Sequence, residues 1–330
     1  MTDRSLHKFI DVFNGDADGL CALHQFRLAD PHPANLVTGV KRDIRLLEKL
    51  AGAENKTITV FDISLDSNRQ ALERLLPANR ITYIDHHYAG ELPDSPNLEA
   101  HINPDPEICT SLIVDRLLAG RFRNWAVVGA YGDNLHKAAE MAATGTNLSE
   151  QELAILRELG ELLNYNGYGR SIEDLHFHPA ELYNSLKNYR NPLDFWHSSQ
   201  ELNRLRQGFK NDMEKAGRFN PYRENRIGRI FRFPDSPWCR RVAGVFMNEK
   251  ARDREKIAHA LLIDNGDATS MASIRAPLTN RTGADELCRA FPTGGGRPAA
   301  AGINQLPDEM LDQFLNAFDK VFGETYENKE

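Results

Sequence analysis

Short apolar runs that stop at an acidic residue recur along the first half of the chain. Phe9-Ile10-Asp11-Val12-Phe13 reads as a buried strand and gives way to Asn14-Gly15-Asp16-Ala17-Asp18-Gly19, a turn carrying two carboxylates. Thr57-Ile58-Thr59-Val60-Phe61 is a second β-rich run, ending in Asp62, and Arg80-Ile81-Thr82-Tyr83-Ile84 a third, ending in Asp85-His86-His87. Residues 125–132 are apolar, compatible with a strand or a buried helix, and end in Asp133. Helical spacing over residues 20–28 and a strand over 35–40 fill the first interval. Gly19 would let the start of that helix approach a phosphate. Lys41-Arg42-Asp43 then opens an amphipathic stretch to Leu50; two places are open to Lys41 and Arg42, the substrate edge or a solvated helix start, and the second is favoured. Strand and helix alternating in this way predict an α/β fold with a doubly wound, mainly parallel sheet. Open sheets of this kind place ligands at the carboxyl ends of their strands, where these acids fall.

Further on, Asn103-Pro104-Asp105-Pro106 punctuates the chain, and Thr110 or Ser111 reads as the N-cap of a helix through Leu112-Ile113-Val114. Another capped helix is predicted over residues 147–160. Residues 164–217 are polar, aromatic and helix-prone in parts; His176 and His178 there read as surface or packing histidines, Phe195 and Trp196 as core or hinge. Strands over 226–233, 258–265 and 268–274, with helices over 283–290 and 307–322, predict a smaller second α/β domain with a mixed sheet. The expected division is 1–190 for the first domain, 191–220 for a linker and 221–330 for the second.

At 330 residues, 41% hydrophobic and 26% charged, the composition is that of a globular protein of about two domains. Met1 to Ser5 is polar, without a signal-peptide core, and no apolar run approaches the roughly 18 residues that span a bilayer. Cys21, Cys109, Cys239 and Cys288 are scattered, which argues against a disulfide framework or a thiolate zinc site and fits a reduced cytoplasm. The net charge of −7 and pI near 5.9 disfavour long duplex nucleic acid, whose binders carry basic stripes, and favour small phosphorylated substrates. Residues 226–297 hold eleven arginines against two lysines, and arginine is the better phosphate clamp.

Carboxylates gathered at one sheet edge repel each other unless cations lie among them, and hard divalent ions prefer such oxygens. With Asp16, Asp18, Asp62, His86 and Asp133 all at run ends, the charge balance favours two metals. In this order Asp-Ala-Asp-Gly, Asp62, Asp85-His86-His87 and Asp133 resemble motifs one to four of the DHH phosphoesterase superfamily. Gly294-Gly295-Gly296-Arg297-Pro298-Ala299-Ala300-Ala301-Gly302 resembles the glycine-rich signature of its DHH-associated C-terminal domain. The similarity spans roughly residues 8–306.

The resemblance implies two Mn²⁺ ions per site, with Mg²⁺ or Co²⁺ as substitutes. Asp16 and Asp62 would hold the first; Asp18, Asp62, His86 and Asp133 the second, with Asp62 bridging. It implies further that Asp85 orients His86 and that His87 faces the scissile phosphate. Arg275 would grip a terminal phosphate, Gly294, Gly295, Gly296 and Arg297 would bring donors to the substrate, and Asn14 would lie beside it, in a cleft between domains. Two positions depart from the family: Val12 stands where a histidine usually completes the first metal site, and Arg297 where the glycine loop usually carries histidine. The implied activity is Mn-dependent hydrolysis of short 5′-phosphorylated oligonucleotides or dinucleotides such as pGpG to nucleoside 5′-monophosphates, as in nanoRNases and cyclic-di-GMP signalling. The alternatives are a cyclic-dinucleotide phosphodiesterase, a single-strand exonuclease, a pyrophosphatase or polyphosphatase, and a non-catalytic nucleotide binder. A cytoplasmic enzyme with no membrane partner is expected, its oligomeric state, a homodimer included, left open.

Overall fold

Side chains along a strand alternate between two faces, and the first strand uses both. In β1 (Phe9–Phe13), Ile10 and Val12 enter one apolar cluster, while Asp11 meets Arg27 on the other side. The computed structural model describes residues 8–327; the polar stretch Met1 to Ser5 lies outside them. After β1 come α1 (Ala17–Ala29), β2 (Asn35–Val37), β3 (Thr57–Phe61), α2 (Leu65–Leu75), β4 (Arg80–Asp85) and β5 (Leu98–Ile102). The five strands form an all-parallel sheet in the order β2-β1-β3-β4-β5. Leu65, Ala71, Leu72 and Leu75 of α2 close the face that carries Val12, Val60 and Tyr83. On the other face Phe26 of α1 packs edge-on against Phe61. The sheet is doubly wound, as the alternation of runs predicts.

Helices complete this unit: α3 (Thr110–Leu117), α4 (Arg123–Gly132), α5 (His136–Ala143), α6 (Glu150–Gly167), α7 (Pro179–Leu186), α8 (Pro192–Ser198) and the start of α9 (Gln200–Ala216). The apolar run ending in Asp133 is a helix, α4, buried along its length from Trp125 to Gly132. The α3 boundary also differs from the expected one: Cys109 is the N-cap residue, and Thr110 and Ser111 lie inside the helix. Ser149 and Glu152 form a capping box that starts α6, which runs seven residues beyond the expected end. Residues 191–220, expected to be a linker, are largely helical: Asn191 caps α8, Pro192 fits its first turn, and Phe195 is fully buried.

The chain divides into two compact units at Gly208 and Phe209. The second unit contains β6 (Arg223–Glu224), β7 (Gly228–Phe233), α10 (Pro237–Asp253), β8 (Ala258–Asp264), β9 (Thr269–Arg275), α11 (Ala284–Arg289), β10 (Gly294–Arg297), β11 (Ala300–Pro307) and α12 (Leu311–Glu327). Its mixed six-stranded sheet runs β10-β11-β9-β8-β7-β6, with β7 and β8 its parallel pair. Phe314 and Phe318 of α12 pack with Ile230, Leu262 and Ile274 on one face; Phe246 of α10 meets Phe231 and Phe233 on the other. The glycine-rich segment, expected as a loop, is strand β10 of a hairpin with β11. No helix among the described residues is long and apolar enough to cross a membrane.

The buried ion pair under β1 ties α1 to the sheet. Arg27 donates to both oxygens of Asp11, at 2.5 and 2.8 Å, and to Thr59 Oγ1 at 3.0 Å. Removing one partner strands a buried charge, which typically costs about 3–5 kcal/mol. Arg27→Met is therefore expected to lower the stability of the first unit by about that much in urea unfolding. Adding Asp11→Leu is expected to recover most of the loss; a single variant as stable as the parent would contradict this account.

Candidate metal centre

Strands β1, β3 and β4 end in register, Phe13 opposite Phe61 and Phe61 opposite Ile84. The residues that follow leave the sheet at one edge, where the strand order reverses between β1 and β3. Asp16 is the N-cap of α1 and accepts the Gly19 amide on Oδ1 at 3.1 Å. That amide is thereby engaged. A Cβ on Gly19 would lie 2.3 Å from the Asn14 carbonyl, so close packing accounts for the glycine in place of the expected phosphate approach. Asp18, in the first turn of α1, accepts the backbone amides of Thr110 and Ser111, each at 2.7 Å. A carboxylate 92 residues earlier thus caps α3 and sits at the positive end of its dipole.

Asp62 follows β3 with a left-handed backbone, φ 58°, held by its amide donating to the Ile84 carbonyl at 3.0 Å. Such a conformation is uncommon outside glycine and clusters at functional sites. Asp62 Oδ1 accepts from Thr110 Oγ1 at 3.2 Å and lies 3.4 Å from His86 Nε2. His86 Nδ1 donates to the Ile108 carbonyl at 2.9 Å, which aims Nε2 at Asp62 and at Asp133, 3.7 Å away. Asp133 ends α4. Two overlapping sets, Asp18-His86-Asp133 and Asp62-His86-His87, each bring three donor atoms within 4.8 Å of one another.

The electrostatics differ sharply across the cluster. Burial first, then the charges of neighbouring carboxylates, raises Asp18 and raises Asp62 well above the usual range. Burial also works to raise Asp16, yet Lys41, with the Gly19 amide, brings it below its ordinary value. Lys41 Nζ lies 2.6 Å from Asp16 Oδ2, 3.3 Å from Asp133 Oδ1 and 3.2 Å from Asn164 Oδ1. Burial opposes the Lys41 charge, but Asp16 and Asp133 outweigh it and hold the amine well above its normal pKa. The donor set of Asp18, Asp62, His86 and Asp133, two of its carboxylates held above the usual range, fits a divalent ion of the Mn²⁺ or Mg²⁺ kind. Around Asp16 the fit fails: an ammonium already stands there, and Val12 is fully buried in the apolar cluster with Val60.

Several expected roles are redistributed. Asp85 accepts from His87 Nδ1 at 2.7 Å, so it orients His87, while a backbone carbonyl orients His86. Asn14 donates to the Lys41 carbonyl at 3.3 Å, buttressing the loop that carries the lysine. Lys41, read from sequence as a solvated helix start, belongs to the centre. Its clue was a place just beyond a strand adjacent to β1. The His176 and His178 rings serve packing: His176 bonds the Tyr165 hydroxyl and His178 caps α7. In the second unit, Arg275 is engaged with Asn248, Ser273 and the Ile274 carbonyl. Arg297 is exposed at the turn end of β10. Gly294 and Gly296 are demanded by packing, since a Cβ would fall 1.8 Å from the Cys288 carbonyl or 2.5 Å from Ala301 Cα. Above Gly295 the space is open.

Two outcomes follow. His86 is pushed up to about 10, because the Asp62 hydrogen bond and surrounding carboxylates outweigh the effect of burial. A protonated His86 must release its Nε2 proton to ligate, so Mn²⁺ affinity is expected to rise about tenfold per pH unit from 6 to 8. Titration calorimetry in two buffers checks it; an affinity independent of pH contradicts it. In Gly129→Ala the new methyl would lie 2.2 Å from Ser111 Oγ and 3.2 Å from Asp18 Oδ1. This variant is expected to bind Mn²⁺ about tenfold or more weakly in the same assay, since support around ligands usually matters by that factor.

No protein-family model matches the sequence, and no curated protein matches it. Solved structures do. A manganese-bound exonuclease RecJ superposes with a TM-score of 0.62 at 14% identity, covering 96% of this chain and 90% of that one. The pGpG-specific phosphodiesterase PggH of Vibrio cholerae gives 0.54 at 13% identity, over 95% and 99% of the two chains. RecJ of Thermus thermophilus with Mn²⁺ gives 0.60 at 13% identity over 96% of this chain, which spans about half (52%) of that longer protein. The chain has the α/β fold of these solved structures, a likeness that at 13–14% identity is one of fold.

Proposed function

We propose that this protein is a divalent-metal-dependent phosphodiesterase that hydrolyses short linear 5′-phosphorylated oligonucleotides or dinucleotides, pGpG among them, to nucleoside 5′-monophosphates. The observation that carries the reading is the convergence of Asp18, Asp62, His86 and Asp133 at the switch point of a parallel sheet. The acidic balance of the chain and the likeness in fold to a pGpG-specific phosphodiesterase support a small nucleotide substrate.

In this reading Asp18, Asp62, His86 and Asp133 hold the cation, the first three oriented beforehand. The α3 amides fix Asp18, Thr110 and the strained backbone fix Asp62, and the Ile108 carbonyl fixes the His86 ring. A bound divalent cation supplies a lowered pKa for water and neutralises charge on the phosphoryl oxygens. His87, with 43% of its side chain exposed and Nδ1 held by Asp85, hydrogen-bonds a non-bridging oxygen of the scissile phosphate. Water attacks phosphorus as the bond to the 3′ oxygen breaks; a proton from the water ends on that oxygen as a 3′ hydroxyl, and the other product keeps a 5′ phosphate. Arg297 and the open backbone at Gly295 contribute contacts to the substrate's phosphates.

Purified protein with Mn²⁺ is expected to convert pGpG and other two- to seven-nucleotide substrates to mononucleotides, with loss of at least about a thousandfold in kcat for Asp62→Ala. Chromatography of the products decides: phosphate released from pyrophosphate with dinucleotides untouched would falsify the proposal. Arg297→Ala is expected to raise KM about tenfold or more with metal content unchanged. Equal loss of both would remove Arg297 from substrate binding.

A further inference from the structure

Lys41 places its ammonium against Asp16, the residue expected to hold a first cation. An ammonium has three N–H donors and no acceptor. Around Lys41 Nζ stand three oxygens, from Asp16, Asp133 and Asn164, at 2.6, 3.3 and 3.2 Å. The lysine is anchored at its base, where its amide donates to the Gly167 carbonyl at 2.8 Å and Asn14 donates to its own carbonyl. Gly167 in turn packs so closely on Asp16 that a Cβ would lie 3.0 Å from the Asp16 Cα. The position four residues before Asp16, Val12, offers apolar packing and no ligand atom.

We propose that the Lys41 ammonium permanently replaces the first of two metal ions, so that the chain takes a single divalent cation, at Asp18, Asp62, His86 and Asp133. A second dication beside Asp16 would meet a fixed positive charge a few ångströms away, with the Asp16 charge already compensated. Lys41 delivers, without metal, the positive charge that a first ion would set beside the reacting phosphate. The inference rests on the metal-binding half of the proposed function and adds its stoichiometry.

The test needs no substrate. Full-length protein freed of metal by chelation is titrated with Mn²⁺, the bound metal is counted by mass spectrometry, and spectra are taken by electron paramagnetic resonance. The parent is expected to bind about one equivalent and show the six-line signal of an isolated ion; Lys41→Arg, which keeps the cation, behaves alike. Lys41→Ala exposes three oxygens without their cation and is expected to bind about two equivalents with an exchange-broadened spectrum. Circular dichroism shows which variants are folded. Two equivalents on the parent, or one on folded Lys41→Ala, overturns the proposal. Should Lys41→Ala not fold, Lys41→Gln takes its place under the same criterion. No binding by the parent would overturn the metal reading itself, a distinct result.

Discussion

Four aspartates meet at one edge of a parallel sheet, three of them nearly excluded from water, and everything about the centre depends on how their charge is offset. Isolated carboxylates cannot stay ionised in such surroundings. The three buried ones are compensated differently. Asp16 has an ammonium and a helix amide; Asp18 has two amides at the head of α3; Asp62 has a hydroxyl and an imidazole. These partners only partly offset the cost of burial and of mutual repulsion at Asp18 and Asp62, which stay poised to take protons or a metal, while the lysine holds Asp16 ionised.

The fold makes this gathering possible through register. Parallel strands in register release their C-terminal residues at a common edge, and reversal of strand order opens a crevice there. The helices around it are held by contacts with no slack. Gly132 faces Ala17 so closely that a Cβ would stand 2.2 Å from the Ala17 methyl, and a Cβ on Gly160 would stand 2.3 Å from the Val128 carbonyl oxygen. Close helix packing brings the end of α4, and so Asp133, to the same point as the residues after β1, β3 and β4. The ligand supports are backbone atoms of α3 and its approach, Ile108 to Ser111, as much as side chains.

Much of this is legible in the amino-acid sequence. Runs stopping at Asp62 and at Asp85-His86-His87 announced strands and their ends, because a β-rich apolar run broken by a polar residue has few other meanings. The α/β alternation, the mixed second sheet and the acids that meet followed from the same pattern. Asp133 was found for its acid and left open between strand and helix, since an unbroken apolar run carries no period. Lys41 was read as solvated because a lysine beside an arginine usually is. Nothing local says that a strand edge turns it inward. Asp85 was assigned to the wrong neighbour because His86 and His87 are adjacent, and only ring orientation tells them apart.

The amino-acid sequence by itself determined which residues are charged, where strands stop, and hence that acids and imidazoles would share one sheet edge. Tertiary structure alone decided who compensates whom: Lys41 for Asp16, the α3 amides for Asp18, a backbone carbonyl for His86. The physical reason is range. Strand propensity and hydrophobic period act over a few neighbours and are written locally, whereas the pairing of a buried charge depends on ångström-scale distances between segments as far apart as Asp18 and Thr110.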